Sequence, residues 1–385
     1  MSKINSQFTI GIIQQSPDMG GAETYMLSLL EQFLKEDVVI FLASNKEKFL
    51  AKAKELPIKT FEIPFILDII GNYRGLIKSF VRLPYALLYY TFLLKTYKKN
   101  NVDVILMSGF SEKMLVTFLS LFINIPIVWI EYGRLEIVFC RNFYLPKTLY
   151  KLLQSIPKKI IVPSKNTHEG LLDETQVSLS KLVLLPLGIP IKEKRNISKA
   201  SVDPILKGKF IIGNISRLTT EKGQDYLIKA MPSIIKKYPQ THLLIVGSGP
   251  DKDFYQRIIE QLYLEDYITI TGYVNNLAKY YECMDIFIFP TIWELEGFGL
   301  VNPEAMSYRL PIIASRLGPV PEIVEDGVTG LLVPPKNSEA IAEAVIQLIN
   351  NPKKRKYLGE NGYKKARKLY DIEINSEKVL TVLKS

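Results

Sequence analysis

The sequence predicts an α/β protein of two doubly wound domains, each a parallel sheet with helices on both faces. Short apolar runs alternate with longer helical patterns, and this alternation weakens near the middle of the chain and then restarts. The length of 385 residues suits two domains that each have a core of their own. We therefore expect two successive sheets with a cleft between them.

In the first half, the apolar runs are continuous rather than alternating, which is typical of strands buried on both faces. A helix from about Ala22 to Lys35 follows the first run after a glycine-containing turn, and helical segments precede the later runs. We predict strands at Phe8–Ile13, Val38–Leu42, Val102–Met107, Ile125–Ile130 and Lys159–Val162, with the last closing the series.

The second half repeats the pattern and ends in a lysine-rich helix. The predicted strands are Phe210–Asn214, His242–Val246, Tyr267–Thr271, Ile286–Phe289, Leu310–Ala314 and Gly330–Val333. The predicted helices are Gln224–Lys237, Asp253–Leu262, Ala278–Cys283, Pro303–Ser307 and Ser338–Asn350. We place the linker at Pro186–Pro190 and the charged run Lys192–Lys199, which gives domains at 1–190 and 191–368 and a C-terminal helix at 369–385.

Composition argues against several classes of protein. Two cysteines, Cys140 and Cys283, predict no disulfide framework and fit a reducing cytoplasm. Two histidines, His168 and His242, and the absence of zinc-ligand spacing argue against a metal site. The net charge of +10 favours an anionic partner, but no RNA-recognition signature or aromatic–basic ribbon supports nucleic acid.

Membrane insertion and secretion are also disfavoured. The apolar stretches Phe61–Ile70 and Leu83–Leu94 are shorter than the roughly 20 residues of a spanning helix. The N-terminus shows no secretory signal. Thr60–Asn100 interleaves six Lys or Arg and two Asp or Glu with large apolar residues, which is compatible with an anionic membrane surface or with ordinary helices packed on the first sheet.

Two glycines, Gly20 and Gly21, follow the first predicted strand and precede its helix. Glycines let the backbone approach a ligand closely, and a helix N-terminus offers unpaired N–H groups to an anion. An ordinary tight turn explains the same pair, so both interpretations stand.

Two cations, Arg217 and Lys222, occupy the loop after the first strand of the second half. Ligands of open α/β sheets bind at strand ends. An arginine fork and a lysine point charge suit a diphosphate, which we favour over a solvated loop with scattered charge.

The segment PTIWELEGFGLVNPEAMSYRLPIIAS contains Glu296 and Glu304, separated by seven residues. Pro303 fits the first turn of a helix, which places Glu304 near free N–H groups. Because carboxylates accept hydrogen bonds from vicinal hydroxyls, both glutamates suit a ribose or a hexose. The helix dipole alone explains Glu304, but not the whole arrangement.

With these residues, the chain resembles the retaining glycosyltransferases of family 4, which have the GT-B architecture of two Rossmann-like domains facing a central cleft. The resemblance is dense from about Phe210 to Tyr370 and thinner from Phe8 to Gly188. The sequences that carry it are GGAE, SRLTTEKG, LLIVGSGP, ITITGYV, ELEGFGLVNPEAM, PIIAS and EDGVTGLLV.

The resemblance implies transfer of a sugar from a UDP- or GDP-sugar to a glycan or lipid-linked acceptor, with retention of anomeric configuration. The resemblance implies no cofactor. The sequence shows no DxD-type acidic pair positioned for Mg²⁺, so we expect the reaction to be independent of metal ions. Family analogy suggests bacterial surface polysaccharide assembly (capsule, O-antigen or lipopolysaccharide), a cytoplasmic or peripheral inner-membrane location, and a final helix that crosses back to the first domain.

The resemblance also implies roles for residues. Glu296 would touch the transferred sugar, Glu304 the donor ribose, and Arg217 and Lys222 the diphosphate. The implied donor site comprises Gly20, Gly21, Arg217, Lys222, Glu296, Gly297, Phe298, Gly299, Leu300, Val301 and Glu304. The catalytic candidates are Glu296, Glu131, Arg217 and Lys222.

One position departs from the family pattern. Many members carry a histidine after the strand corresponding to Ile125–Ile130, where this chain has Glu131 and Tyr132. Glu131 is compatible with a role at the donor sugar and equally with a structural carboxylate. The change leaves a non-catalytic nucleotide-sugar binding subunit open as an alternative, and a nucleotide-sugar epimerase is the other.

Overall fold

The computed structural model describes residues 7–15, 19–45, 48–192 and 198–385, and the chain divides into two compact units. The first unit comprises Met1–Gly188 with Ile372–Ser385, and the second comprises Ile189–Asp371. The predicted linker run Lys192–Lys199 lies mostly outside the described residues. The first six residues and positions 16–18 of the glycine turn lie outside them as well.

The first unit alternates strands and helices. Its described elements are β1 (Thr9–Ile13), α1 (Gly21–Lys35), β2 (Val39–Asn45), α2 (Lys48–Ala53), β3 (Lys59–Ile63), α3 (Tyr73–Lys99), β4 (Val104–Met107), α4 (Phe110–Ile123), β5 (Ile127–Ile130), α5 (Glu136–Phe139), α6 (Leu145–Leu153), β6 (Lys159–Val162), α7 (Lys165–Thr175) and β7 (Leu182–Leu184).

The described strands of this unit form a parallel sheet in the order β3-β2-β1-β4-β5-β6-β7. The central strand β1 is buried at all five positions, as its apolar run predicts. The prediction missed β3 and wrongly ended the series at β6. Both missed strands lie at the sheet edges. Only one of the five residues of β3 is buried and none of the three residues of β7 is, so neither has a continuous buried apolar run.

Helix α3 packs on β1 at a position where the strand has no side chain. A Cβ on Gly11 would lie 2.7 Å from the ring of Tyr97, so glycine is required for this close approach. The Tyr97 hydroxyl donates to the carbonyl oxygens of Ile12 at 3.3 Å and Phe41 at 3.2 Å. One face of this long helix therefore belongs to the core.

The second unit repeats the alternation. Its described elements are β8 (Phe210–Ile215), α8 (Gln224–Lys237), β9 (Thr241–Val246), α9 (Lys252–Gln261), β10 (Ile268–Ile270), α10 (Ala278–Cys283), β11 (Ile286–Phe289), α11 (Val301–Ser307), β12 (Ile312–Ser315), α12 (Val320–Ile323), β13 (Gly330–Val333), α13 (Ser338–Asn350) and α14 (Pro352–Leu369).

These strands form a second parallel sheet in the order β10-β9-β8-β11-β12-β13. Helices cover both sheets, and the predicted α/β class is confirmed. In each sheet, the direction in which successive strands are added reverses once. The reversal lies between β1 and β4 in the first unit and between β8 and β11 in the second. Open α/β sheets bind ligands at such switch points, outside the carboxyl ends of the strands.

The last helix, α15 (Ile372–Lys384), belongs to the first unit and packs on α1. The Tyr25 hydroxyl donates to Oδ1 of Asn375 at 2.7 Å, and Nδ2 of Asn375 donates to the carbonyl oxygen of Pro186 at 2.5 Å. Both hydrogen bonds join residues far apart in the sequence.

Within the described ranges, no helix combines the length and the apolar character that a membrane span requires.

Candidate active site

The second unit brings two predicted loops together at its switch point. The loop with Arg217 and Lys222 follows β8, and the loop with Glu296 follows β11, its neighbour in the sheet. Lys222 Nζ donates to both carboxylate oxygens of Glu296, at 2.8 Å to Oε1 and 2.7 Å to Oε2. Thr291 Oγ1 donates to the same carboxylate at 3.1 Å. Both charged side chains are largely buried, so water screens the pair weakly.

Backbone contacts fix the loop that carries Lys222. Ile292 N–H donates to the carbonyl oxygen of Glu221 at 2.9 Å, and Gly223 has a φ of +69°. A Cβ on Gly223 would lie 2.1 Å from the carbonyl oxygen of Pro290. Glycine is therefore required twice over, by its left-handed backbone and by the close approach of the β11 loop.

Arg217 lies on the same loop with an exposed side chain. Gln224 Nε2 donates to the Arg217 carbonyl oxygen at 2.9 Å, which fixes the backbone. Within the described residues, the guanidinium makes no hydrogen bond or ion pair. The nearby charges of Lys222 and Arg217 help to lower the pKa of Glu221, behind hydrogen bonds from its own backbone and from Thr219. The loop therefore presents a cation with free donors.

The loop from Gly297 to Val301 leads into helix α11. Gly299 has a φ of +69°, and its carbonyl oxygen accepts from Asn302 N–H at 2.9 Å. The backbone N–H groups of Phe298, Gly299, Leu300 and Val301 have no acceptor in the described part of the chain. Consecutive free N–H groups of this kind are suited to an anion.

Glu304 lies on α11 and is held by a different partner from Glu296. The Tyr281 hydroxyl donates to Glu304 Oε2 at 2.7 Å. Burial raises the pKa of the Glu304 carboxyl to about 7, and the Tyr281 hydrogen bond opposes that rise. The structure therefore places both glutamates on the β11–α11 segment but satisfies them separately.

In the first unit, Gly20 precedes α1 and Gly21 is its first residue. The Gly20 N–H donates to Oε2 of Glu23 at 2.9 Å, so this N–H already has a partner. The arrangement is that of a helix N-terminus closed by its own first-turn glutamate, as in a capping box.

Glu131 lies after β5, where its carboxylate is buried and has two partners. Lys113 Nζ donates to Glu131 Oε1 at 2.5 Å, and the Tyr150 hydroxyl donates to the same oxygen at 3.1 Å. The ion pair is almost fully removed from water. This geometry favours the structural interpretation over a role at the donor sugar.

The sequence analysis missed Glu112, a buried carboxyl at the switch point of the first sheet. It lies in the first turn of α4, after β4, and accepts from Gln15 N–H, just after β1, at 2.8 Å. Burial raises its pKa to about 7 against hydrogen bonds from Gln15 and its own backbone. The signal in the sequence is an acidic residue five positions after the predicted strand Val102–Met107, at the strand end where open α/β sheets bind ligands.

The described residues include no group of three His, Cys, Asp or Glu side chains placed to hold a metal ion.

Comparison with known proteins shows what the chain is similar to. The family model described as glycosyl transferases group 1 matches residues 197–365. The capsular polysaccharide biosynthesis glycosyltransferase CapM of Staphylococcus aureus is 26% identical over 281 residues, which cover 69% of this chain and 73% of that protein. A GDP-mannose-dependent alpha-(1-6)-phosphatidylinositol monomannoside mannosyltransferase of Mycolicibacterium smegmatis is 34% identical over 155 residues, 38% of this chain and 41% of that protein.

With three of the curated relatives, the alignment spans only 41–43% of the relative's own length. The fold likeness extends further. The crystal structure of Anabaena HepE in complex with UDP and glucose has a TM-score of 0.81 and 20% identity, and it covers 98% of this chain and 100% of that one. Residues 197–365 are therefore similar to the glycosyl transferases group 1 family, and the chain has the GT-B fold.

Proposed function

We propose that the protein transfers a sugar from a nucleotide diphosphate sugar to a hydroxyl group of an acceptor. The observation that carries the proposal is the contact between Lys222 and Glu296 at the switch point of the second sheet. Arg217 on one loop and the free N–H groups of Phe298–Val301 on the other add donors suited to a diphosphate. A glutamate beside a phosphate-binding lysine is suited to sugar hydroxyls.

Each residue then has a role in donor binding. Arg217 and Lys222 bind the diphosphate, and Glu304 accepts hydrogen bonds from the ribose hydroxyls. Glu296 orients Lys222 and accepts hydrogen bonds from the transferred sugar. Glu131 is left out of the reaction because Lys113 and Tyr150 already satisfy its carboxylate.

In the reaction, the bond between the anomeric carbon and a diphosphate oxygen breaks, and its electron pair leaves with the nucleotide. The acceptor hydroxyl oxygen bonds to the anomeric carbon from the face that the nucleotide leaves, which retains the configuration. The hydroxyl proton passes to an oxygen of the leaving phosphate. Arg217 and Lys222 stabilise the negative charge that develops there, which supplies by side chains what a metal ion supplies elsewhere.

The donor class and the pathway are extensions of the similarities. HepE was crystallised with UDP, and the Mycolicibacterium smegmatis relative is GDP-mannose-dependent. We infer a UDP- or GDP-sugar donor. Similarity to CapM, a capsular polysaccharide biosynthesis glycosyltransferase, supports a glycan or lipid-linked acceptor in bacterial surface polysaccharide assembly.

Calorimetric titration with UDP-, GDP- and ADP-sugars tests donor binding, with Lys222→Met as the variant and Lys229→Met as its control. Lys229 lies on α8, where it pairs with Asp225. We expect one nucleotide to bind with heat, Lys222→Met to weaken it, and Lys229→Met to leave it unchanged. A chelator should not lower the transfer rate.

Product analysis with and without acceptor separates transfer from the alternatives. Sugar transfer only when acceptor is present supports the proposal. Isomerised donor without acceptor would identify an epimerase, and donor binding without turnover on any acceptor would identify a binding subunit.

A further inference from the structure

The outer face of α3 carries an apolar stripe that no other part of the described chain covers. Ile77, Val81, Leu88 and Phe92 are exposed, with Val81 at 77% and Leu88 at 73%. Their spacing of four, seven and four residues aligns them along one side of a helix. The opposite side is buried and consists of Leu76, Ser79, Ala86, Tyr90, Leu93, Leu94 and Tyr97.

Charge on this helix has one sign. The 27 residues of α3 include no Asp or Glu. Its cations are all exposed: Arg74, Lys78, Arg82, Lys95, Lys98 and Lys99. The solvent-exposed face of an ordinary helix carries both positive and negative charges and few large apolar residues. The outer face of α3 differs in its charge and in its apolar content.

The apolar surface continues onto α4. Lys98 Nζ donates to the carbonyl oxygen of Ile123 at 2.6 Å, which holds the C-terminal ends of α3 and α4 together. In the last turns of α4, Phe118, Leu121 and Phe122 are exposed. Two neighbouring helices therefore present large apolar side chains to solvent.

A loop near the start of α3 presents another aromatic side chain. Phe143 is 92% exposed, and Asn142, Phe143 and Tyr144 all have left-handed backbones, with φ of 48°, 57° and 60°. This conformation is strained for bulky residues. Asn142 Nδ2 donates to the carbonyl oxygen of Ile69 at 2.8 Å and holds the loop beside the segment that leads into α3.

We propose that the surface formed by the outer face of α3, the end of α4 and Phe143 docks on an anionic lipid bilayer. Its apolar side chains enter the headgroup region while the cations of α3 contact lipid phosphates. A second copy of the chain fits less well, because a self-interface would bring the cations of two α3 helices together without an anion between them. The proposal is independent of the sugar-transfer proposal.

Vesicle co-sedimentation tests it, with phosphatidylcholine vesicles that either contain or lack phosphatidylglycerol. We expect the protein to sediment with the anionic vesicles at low ionic strength and to dissociate at high ionic strength. The apolar double variant Val81→Glu/Leu88→Glu and the charge variant Lys78→Glu/Lys95→Glu should each weaken binding by at least about tenfold. None of these four side chains is buried, so the fold should persist, which near-UV circular dichroism checks.

The matched control is Leu179→Glu. Leu179 is 66% exposed, in the short turn that precedes β7, which forms the edge of the first sheet opposite β3. We expect it to bind vesicles like the wild type. The proposal is overturned if the wild type does not sediment with anionic vesicles, or if Leu179→Glu weakens binding as much as Val81→Glu/Leu88→Glu. It is also overturned if ultracentrifugation shows a dimer that Val81→Glu/Leu88→Glu dissociates, because the face is then a self-interface.

Discussion

Lys222 binds both carboxylate oxygens of Glu296, a residue 74 positions away, across the ends of two adjacent strands. The pair joins the loop after β8 to the loop after β11 at the point where the strand order reverses. Each side chain neutralises the charge of the other, and both lie outside the carboxyl ends of the strands, which is where open α/β sheets bind ligands.

Replacing Lys222 tests its contribution to stability and its contribution to the proposed reaction separately. Lys222→Met should lower kcat/KM at least about tenfold, or about 1.4 kcal/mol. It should also lower the free energy of unfolding by about 1–3 kcal/mol, because Glu296 loses its buried partner. The double variant Lys222→Met/Glu296→Gln should regain most of that stability without regaining activity. Recovery of kcat/KM in the double variant would contradict a direct role of Lys222 in the reaction.

Arg217→Ala should lower the affinity for the nucleotide without lowering stability. The guanidinium has no partner in the described structure, so the free energy of unfolding should change by less than about 0.5 kcal/mol. Loss of charge-assisted hydrogen bonds to the diphosphate should cost about 1.5–3 kcal/mol of binding, measured by calorimetry. Arg257→Ala, at an exposed site on α9, is the control. Equal affinity in the two variants would exclude Arg217 from the diphosphate site.

Gly223→Ala should displace the Lys222 loop. The added methyl would lie 2.1 Å from the Pro290 carbonyl oxygen, on a backbone with φ of +69°. Gly208→Ala is a close control, since Gly208 has φ of +72° and nothing within 4 Å of the added methyl. Both should lose about 1 kcal/mol from the strained backbone, and only Gly223→Ala should lose more and reduce kcat/KM. Similar unfolding midpoints and activities for the two would show that the contact with Pro290 is unimportant.

Glu112 should make the stability of the first unit depend on pH. Its pKa of about 7 in the folded state is above the ordinary value. Its contribution to the free energy of unfolding is therefore fully present at pH below about 4.3 and is lost as the pH rises through 7. Glu112→Gln should therefore match the wild type near pH 4 and be more stable at pH 8, by on the order of 3 kcal/mol. Denaturant unfolding across this range measures the difference. The control Glu55→Gln, at an exposed site, should show no such divergence. If the stability of Glu112→Gln and of the wild type changed with pH in parallel, Glu112 would not be the source of the pH dependence.

Lys113 and Glu131 should behave as one structural unit. Lys113→Met leaves the buried Glu131 carboxylate without its cation and should cost about 3–5 kcal/mol of stability. Lys113→Met/Glu131→Gln removes both charges and should cost much less than the two single variants together. This double variant should keep kcat/KM within about tenfold of the wild type. A larger loss in a folded double variant would restore the functional interpretation of Glu131.

Local patterns in the sequence predicted the features that contiguous residues determine. Continuous apolar runs predicted strands such as β6, β11 and β13 at their observed bounds, because a strand covered on both faces needs an apolar residue at nearly every position. The position of Arg217 and Lys222 in the loop after a strand marked them as site candidates, because parallel strands end at one edge of a sheet. The edge strands β3 and β7 were missed since they lack this continuous burial.

The sequence by itself determined the α/β alternation and which loops follow which strands. The tertiary structure decided which side chains meet: that Glu296 faces Lys222, that Glu304 faces Tyr281, that Glu131 is paired within the core, and that one face of α3 has no cover. The physical reason is that periodicity and backbone propensity act between neighbours in the chain, whereas pairing and burial depend on strand order and on contacts between residues far apart in sequence.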